Sequence, residues 1–452
     1  MTPPDDETRG PTKSVLVIAD LYHSSPRIPV LAKYLKERGW NASIITPSIT
    51  DLAHFNAPAM KDLEGIPIFQ VGEPSIYESR KQKSRVAGRA HLLKGIQEKL
   101  DPTGTGGFRE LTDRLYWKAY GIFNYPDPQK GWRMPGTEVA LKIASGAKFD
   151  AVLSSSSPVT AHFIARAVSQ ELAIPWIAEF RDLWSQNHNT PFGPFMRWYT
   201  RRLEMTTLKN ANAIVTVSPL WAKDLSKLHG KRVDCLTNGF DPQYYSPCPK
   251  LPGKFVITYT GQIYWGKQNP SLVLEAISSL VSEGSIKRES IELRFFGPKD
   301  KRLDVLVENF ELTGIVRQFG VVPREESIAR QCESGAVLLL AWDDPTQPGW
   351  VPLKLVEYLG CCNPILATGG SHDSIIAEIL RKTSTGVLCS NRKETRETLL
   401  LWYDAYFSER WPVVRRNANE VRRYDFSEIA RDYASLLNEV SKAGSHVIRT
   451  DV

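Results

Sequence analysis

KSVLVIADLYHSSPRIPVLAKYLKERGWNASIITP, residues 13–47, decides the fold. KSVLVIADLY is an apolar run of strand length, IPVLAKYLKERGW reads as a helix stopped by Gly39, and NASIITP reads as a second strand. Strand, helix and strand within about 35 residues make a βαβ unit. Such a unit implies a parallel sheet, because a tight hairpin joins only antiparallel strands.

The same texture continues outward. FDAVLSSSS (149–157) leads into the helix VTAHFIARAVSQELA (159–173), and IPWIAEF (174–180) and ANAIVTVS (211–218) read as buried strands. Each ends in polar or small residues, where the ligand crevice of an open α/β sheet lies. At SPCPKLPGK (246–254) the pattern resets. FVITYTG (255–261) opens a new series that runs through IELRFFG, VRQFGVV, GAVLLLAW, PILATGG and GVLCS. At 452 residues the chain is too long for one ordinary core. The expected class is therefore α/β, with two doubly wound, Rossmann-like domains facing each other across a cleft. The expected divisions are a disordered tail over 1–12, one domain over 13–247, a second over 248–418, and a C-terminal piece over 419–452. The helix YDFSEIARDYASLLNEVSKAG ends at Gly444 and packs either on its own domain or back on the first.

Composition narrows the class. A hydrophobic content of 42% with 24% charged residues describes a soluble globular protein. The acidic, Pro-rich start MTPPDDETRGPTK does not read as a signal peptide, and no apolar run reaches the ~18–20 residues of a membrane helix. Six cysteines, two of them adjacent at 361 and 362, fit neither a disulfide framework nor zinc spacing, so a cytoplasmic setting is expected. Charge is uneven. Residues 1–250 carry 32 Lys and Arg against 24 Asp and Glu, and the remainder 25 against 26, so the first half alone is basic and suited to anionic surfaces.

GQIYWGK (261–267) follows a strand and fits the G-x-x-x-x-G-K phosphate loop. Downstream, AVLLLAWDD looks like a strand ending in a magnesium-binding acid. Against a P-loop ATPase stand Gln268, where a Ser or Thr hydroxyl should hold magnesium, and the bulky Tyr264 and Trp265 inside the loop. What survives is a turn at a strand end with Lys267 placed to meet a phosphate.

QPGWVPLKLVEYLGCCNPILATGG (347–370) packs a turn, a short helix and a strand into one stretch. The helix is expected to begin at Pro352 and end at Gly360, with Leu353, Val356 and Leu359 facing the core. Lys354 and Glu357, three apart, share the open side. No Ser, Thr, Asp or Asn caps its start, and an uncapped N-terminus favours an anion. A diphosphate there and a ribose on Glu357 is one reading; an ordinary helix with a solvated ion pair is the other.

These stretches in this order resemble the retaining glycosyltransferases of family four, which have the GT-B fold. In the second half the resemblance is carried by GQIYWGK, LRFFGP, VRQFGVVP and PGWVPLKLVEYLGCCNPILA. In the first it is carried by LKERGWNASIITP, FDAVLSSSSPVTAHFIA, IPWIAEFRDLW, ANAIVTVS and LTNGFD. It runs from about residue 14 to 440 and implies transfer of a sugar from a nucleotide-sugar with retention of configuration. No obligatory metal and no cofactor are implied, since the nucleotide-sugar is a substrate. Glu357 matches the second glutamate of the family's E-x7-E motif, which holds the donor ribose, and Gly349 stands where the first glutamate is usual. Lys267 matches the lysine on the donor phosphates, whose usual arginine partner is replaced by Gln262 beside Gly261. Trp350, Val351 and Leu353 would give backbone N–H groups to the diphosphate, and the stretch from Arg317 to Val322 lies where the nucleobase stacks. In EFRDLW the family usually has Asp where Glu179 stands. Asp182 and Arg181, with Lys267 and Glu357, are the residues expected to carry catalysis. His23, Ser24, Ser25 and Arg27 replace a glycine-rich turn and would reach the acceptor or the donor phosphates. No enzymic nucleophile is nominated. His162, on an apolar helix face, is expected in the core.

A glycan or lipid-linked saccharide is the expected acceptor. SRKQKSRVAGRAHLLKG with Lys99 (79–99) is strongly basic, and PFGPFMRWYTRR (191–202) interleaves aromatics with arginines. Both would suit peripheral contact with an anionic membrane on its cytoplasmic face, and single-stranded nucleic acid less well. A nucleotide-sugar epimerase or an inactive scaffold of the same shape is the competing reading.

Overall fold

The computed structural model describes residues 12–24, 26–48, 61–71, 124–187, 190, 192–245, 253–342, 349–408 and 410–447. They form two compact units. One contains the described residues up to Leu236 and from Ala430 onward; the other is Thr237–Ile429. The basic stretch 79–99, Ser25 and most of the Pro-rich stretch lie outside the described residues.

The first unit is a seven-stranded parallel sheet. Its strands are β1 Lys13–Ala19, β2 Trp40–Pro47, β3 Ile68–Val71, β4 Ala151–Ser156, β5 Trp176–Phe180, β6 Ala213–Thr216 and β7 Val233–Cys235. They lie in the order β3-β2-β1-β4-β5-β6-β7, all neighbours parallel. The opening βαβ unit is present: β1 pairs with β2 from Lys13↔Trp40 to Ile18↔Ile45, joined through the helix Arg27–Glu37. Strands β1 and β4 are the central pair from which the order runs outward both ways, the switch point where a ligand crevice forms. The edge strands β3 and β7, four and three residues long, are too short to be read from periodicity.

The second unit is a six-stranded parallel sheet. It comprises β8 Phe255–Thr260, β9 Ile291–Phe296, β10 Val316–Gly320, β11 Ala336–Leu340, β12 Ile365–Thr368 and β13 Gly386–Cys389, in the order β10-β9-β8-β11-β12-β13. Its switch point is between β8 and β11. Side chains alternate across the sheet. Ala336, Leu338 and Leu340 enter one apolar cluster with Phe255, Ile257 and Tyr259, while Val337, Leu339 and Ala341 enter another with Leu355, Tyr358 and Leu359. Both faces of β11 are therefore buried, which is why it reads as an unbroken apolar run.

The last helix, Phe426–Val447, passes through Gly444 instead of stopping there. Its part within the first unit is fixed to β1 and the strand beside it. Lys13 Nζ donates to Asn438 Oδ1 at 2.8 Å, and Ser441 Oγ donates to the carbonyl oxygen of Asp150 at 3.4 Å. Phe426 belongs to the second unit, where its N–H donates to the carbonyl of Phe240 at 3.0 Å.

Candidate functional site

At the β8–β11 switch point three segments of the second unit converge: the turn after β8, the residues after β11, and the helix Leu353–Gly360. Pro352 is the N-cap of that helix, with extended backbone at φ −67° and ψ 137°, and not its first helical residue. No side chain caps the first turn. Leu355, Val356, Tyr358 and Leu359 are buried, but Leu353 is 38% exposed, contrary to the core position expected for it. The first turn thus projects past the core, and Leu353 projects with it. Gly349 is buried, and Val351 packs against the apolar cluster under the helix.

The two charges expected to share an open side are each engaged. Lys354 Nζ donates to Tyr259 Oη at 2.5 Å and to the carbonyl of Gln262 at 2.8 Å, and lies 4.3 Å from the Tyr259 ring centroid. Tyr259 Oη in turn donates to the same carbonyl at 2.8 Å. Burial lowers the Lys354 pKa to about 8, although the Glu357 carboxylate works to raise it. Glu357 Oε1 accepts from Nε and Nη2 of Arg324 at 3.2 and 3.1 Å, and Arg324 begins the helix Arg324–Cys332. Neither Arg324 nor Tyr259 was legible as a site residue. The pairing spans 33 residues, and only the Pro323 before Arg324 marks a helix start.

The turn after β8 depends on glycine twice. Gly261 has φ +97°, and a Cβ there would sit 2.6 Å from Lys354 Cε. A Cβ on Gly297 would sit 2.3 Å from the Gly261 carbonyl oxygen. The P-loop reading meets a physical obstacle here. The N–H groups of Lys267 and Gln268 donate to the Tyr264 carbonyl, at 3.1 and 2.8 Å, and that of Tyr264 donates to Gln268 Oε1 at 3.0 Å. Donors that would wrap a phosphate are spent within the turn. Gln268 is a buried latch, its Nε2 donating to the Leu340 carbonyl at 2.9 Å. Lys267 Nζ lies 4.5 Å from the Trp342 ring centroid, and Trp342 packs against Trp350 at 4.5 Å and Tyr264 at 5.7 Å. The Gln262 side chain is exposed; Arg317 is exposed, 3.8 Å from Glu292, and Val322 is half-buried.

In the first unit the residues after β1, β4 and β5 meet at the other switch point. His23 Nδ1 lies 2.9 Å from Asp20 Oδ2, and Asp20 Oδ1 accepts from the N–H of Tyr22 at 2.9 Å. Asp20 therefore fixes the His23 ring. Ser24 ends the short helix Leu21–Ser24. Arg181 ties the strand ends together: Nε donates to Ser155 Oγ at 3.0 Å, Nη1 to the His23 carbonyl at 2.7 Å and Nη2 to the Ser157 carbonyl at 2.6 Å. Asp182, next in the chain, is exposed. A pocket of about 260 Å³ lies here, lined by His23, Asp127, Gln129, Ser157, Trp184 and Asn187 among others. Asp127 accepts from the N–H and Oγ1 of Thr160 at 2.7 and 2.8 Å, capping the helix Thr160–Leu172, and burial raises its pKa.

Two acceptor-side expectations are corrected. Arg27 is only 4% exposed and Glu179 fully buried. Arg27 Nε donates to Glu179 Oε1 at 2.8 Å, and Nη2 donates to the Leu236 carbonyl at 2.7 Å and to Tyr433 Oη at 3.0 Å. Tyr433 also donates to Glu179. Burial alone would raise the Glu179 pKa, but the Arg27 charge and hydrogen bonds from Ser155, Tyr433 and Arg27 outweigh it and leave it lowered. This pair anchors the C-terminal helix and does not face a ligand. His162 is in the core as expected: Trp176 Nε1 donates to Ser154 Oγ at 2.7 Å, which lies 2.8 Å from His162 Nδ1. Burial lowers its pKa to about 3.

Comparison with known proteins bears on the fold and on the first unit. Residues 25–239 match the family model described as glycosyl transferase 4-like domain. The putative colanic acid biosynthesis glycosyltransferase WcaL of Escherichia coli K12 is 26% identical over 238 residues, a match spanning 51% of this chain and 57% of that protein. Among solved structures, sucrose-phosphate synthase from Thermosynechococcus elongatus superposes with a TM-score of 0.58 at 12% identity, covering 95% of this chain and all of that one. Anabaena Alr3699/HepE in complex with UDP-glucose superposes with a TM-score of 0.51 at 12% identity, covering 96% and 99%. At such identities the superpositions speak for the fold alone. The chain thus has the GT-B architecture of two Rossmann-like domains, and its residues 25–239 match the glycosyl transferase 4-like domain.

Proposed function

We propose that this protein is a metal-independent, retaining glycosyltransferase that moves a sugar from a nucleotide-sugar to a glycan or lipid-linked saccharide. The observation that carries the reading is the uncapped first turn of the Leu353–Gly360 helix at the β8–β11 switch point. Lys354, Lys267 and Glu357 lie on the elements that meet there. A diphosphate on that turn would take the N–H groups of Leu353 and Lys354 and the positive end of the helix dipole. The two lysines would stabilise charge as the leaving group departs. Glu357, its carboxylate held by Arg324, would accept from the ribose hydroxyls. The glycosyl transferase 4-like domain and the UDP-glucose bound by the Anabaena neighbour agree with this assignment. At the first unit's switch point, His23 and Asp182 are the groups placed to meet an acceptor.

A panel of UDP-, GDP-, dTDP- and ADP-sugars, incubated with EDTA and lipid-extract acceptors, tests the reading. Release of one nucleotide with a product of unchanged anomeric configuration is expected. An inverted product, or epimerised free nucleotide-sugar without transfer, contradicts it.

Two further outcomes follow from the donor turn. Gly297→Ala forces a carbon against the Gly261 carbonyl. It is expected to displace the turn and weaken nucleotide binding roughly tenfold, about 1.4 kcal/mol, in calorimetry. Lys354 titrates at about 8, so its charge is present below that pH and lost above it. Nucleotide affinity is expected to fall as pH rises through 8 in the wild type and to stay flat in Lys354→Met. The stability effect has the opposite sign. The folded pKa lies below the ordinary 10.5, so the cost of burying this charge is full below pH 8 and is relieved as pH rises from there toward 10.5.

A further inference from the structure

We propose that the outward face of the helix Pro194–Leu208 docks this protein on the surface of an anionic lipid bilayer. The inference is independent of the transfer reaction. The helix, PFMRWYTRRLEMTTL, starts with Pro194 in its first turn, and its inner side buries Thr200, Glu204, Thr207 and Leu208. Glu204 is its sole acid and is turned inward, accepting from the N–H of Ser185 at 2.9 Å, with His229 Nε2 3.1 Å from its other oxygen. The outer side therefore carries no negative charge. It carries Phe195 at 73% exposure, Trp198 at 58%, and Tyr199 and Met205 at 44% each, with Arg201 and Arg202 also exposed.

The spacing makes these residues one surface. Positions 195, 198, 199, 202 and 205 follow the i, i+3, i+4, i+7, i+10 rows of a single helix face, and Arg201 flanks them. Phe195 and Trp198 sit side by side with ring centroids 6.1 Å apart, both directed to solvent. Large aromatics in water are costly unless something covers them. A face that alternates indole, phenyl and thioether with guanidinium matches the bilayer interface. Its rings can enter the headgroup–acyl boundary while the arginines pair with lipid phosphates. An acidic protein partner would use the arginines but gives no reason for four exposed apolar side chains without a groove between them. Among the described residues no helix is long and apolar enough to cross a membrane.

The test is flotation of the full-length protein with vesicles of phosphatidylcholine alone and of phosphatidylcholine mixed with phosphatidylglycerol, at low and high salt. The expected result is binding to the anionic vesicles that salt weakens, falling about tenfold or more in Phe195→Ser/Trp198→Ser. Arg201→Gln/Arg202→Gln should remove most of the salt dependence and leave weak residual binding. These side chains are exposed, so the thermal midpoint and nucleotide affinity of each variant should equal those of the wild type, which separates lost docking from lost folding. With brominated lipid, part of the tryptophan fluorescence should be quenched, and that part should vanish in Trp198→Phe. Equal binding to neutral and anionic vesicles, or variants that float like the wild type, would overturn the proposal. So would a dimer broken by Phe195→Ser/Trp198→Ser in a protein that ignores vesicles, or capture by single-stranded oligonucleotides in preference to them.

Discussion

Arg27→Met is expected to destabilise the first unit by about 3–5 kcal/mol, because it leaves Glu179 as an uncompensated buried charge. Glu179 is fully buried on β5, and Arg27 at the start of the Arg27–Glu37 helix is its cationic partner at 2.8 Å. The same guanidinium holds Tyr433 of the last helix and the Leu236 carbonyl, so the substitution also loosens the C-terminal helix. Arg27→Met/Glu179→Gln removes both charges at similar volume and should recover much of the loss. Urea unfolding followed by circular dichroism measures both. Acid distinguishes this account from simple cavity formation. The Glu179 pKa is lowered from 4.5 in the folded protein, so the pair stabilises above that value and its contribution fades as pH falls through the folded pKa. In Arg27→Met burial acts on Glu179 without its cation, and protonation relieves the penalty. The gap between variant and wild type should therefore narrow on acidification. A gap independent of pH would count against the buried-charge explanation.

Glu357→Ala is expected to cost about 1.5–3 kcal/mol of nucleotide-sugar binding, roughly ten- to over a hundred-fold, since it removes a charged acceptor. The geometry explains why this carboxylate is suited to the role. Arg324 holds it through two hydrogen bonds to one oxygen, and both side chains are only partly exposed. Glu357→Gln keeps an acceptor and should lose less. Because Arg324 also loses its partner in Glu357→Ala, some stability should fall as well. Thermal melts and calorimetry on the two variants separate these effects. Equal loss of binding in Gln and Ala, with no change in melting, identifies charge as the element that matters.

Much of the architecture was legible because parallel strands covered on both faces are unbroken apolar runs. The runs at 13–22, 255–261 and 335–342 contain the central strands Lys13–Ala19, Phe255–Thr260 and Ala336–Leu340. The edge strands Ile68–Val71 and Val233–Cys235 escaped because a short, half-covered strand leaves no such run. The helix at 353–360 was legible, yet Leu353 was misplaced: helical spacing marks a face but not where the core under it ends. Long-range charge pairing was the least legible part. Arg27 and Glu179 are 152 residues apart, and each looked like a ligand group, since a lone charge near a strand end gives no hint of a buried partner. Lys354 was read as solvated for the same reason, as its partners Tyr259 and the Gln262 carbonyl belong to a turn more than 90 residues upstream. His162 was placed correctly because its helix face is apolar on either side.

The most direct test is titration calorimetry of the wild-type protein with UDP, GDP, dTDP and ATP in the presence of EDTA. One nucleoside diphosphate should bind without metal, at a site weakened by Glu357→Ala and by Gly297→Ala. If no diphosphate binds, and ATP binds only when magnesium is restored, the helix start is not a donor site and the glycosyltransferase account is contradicted.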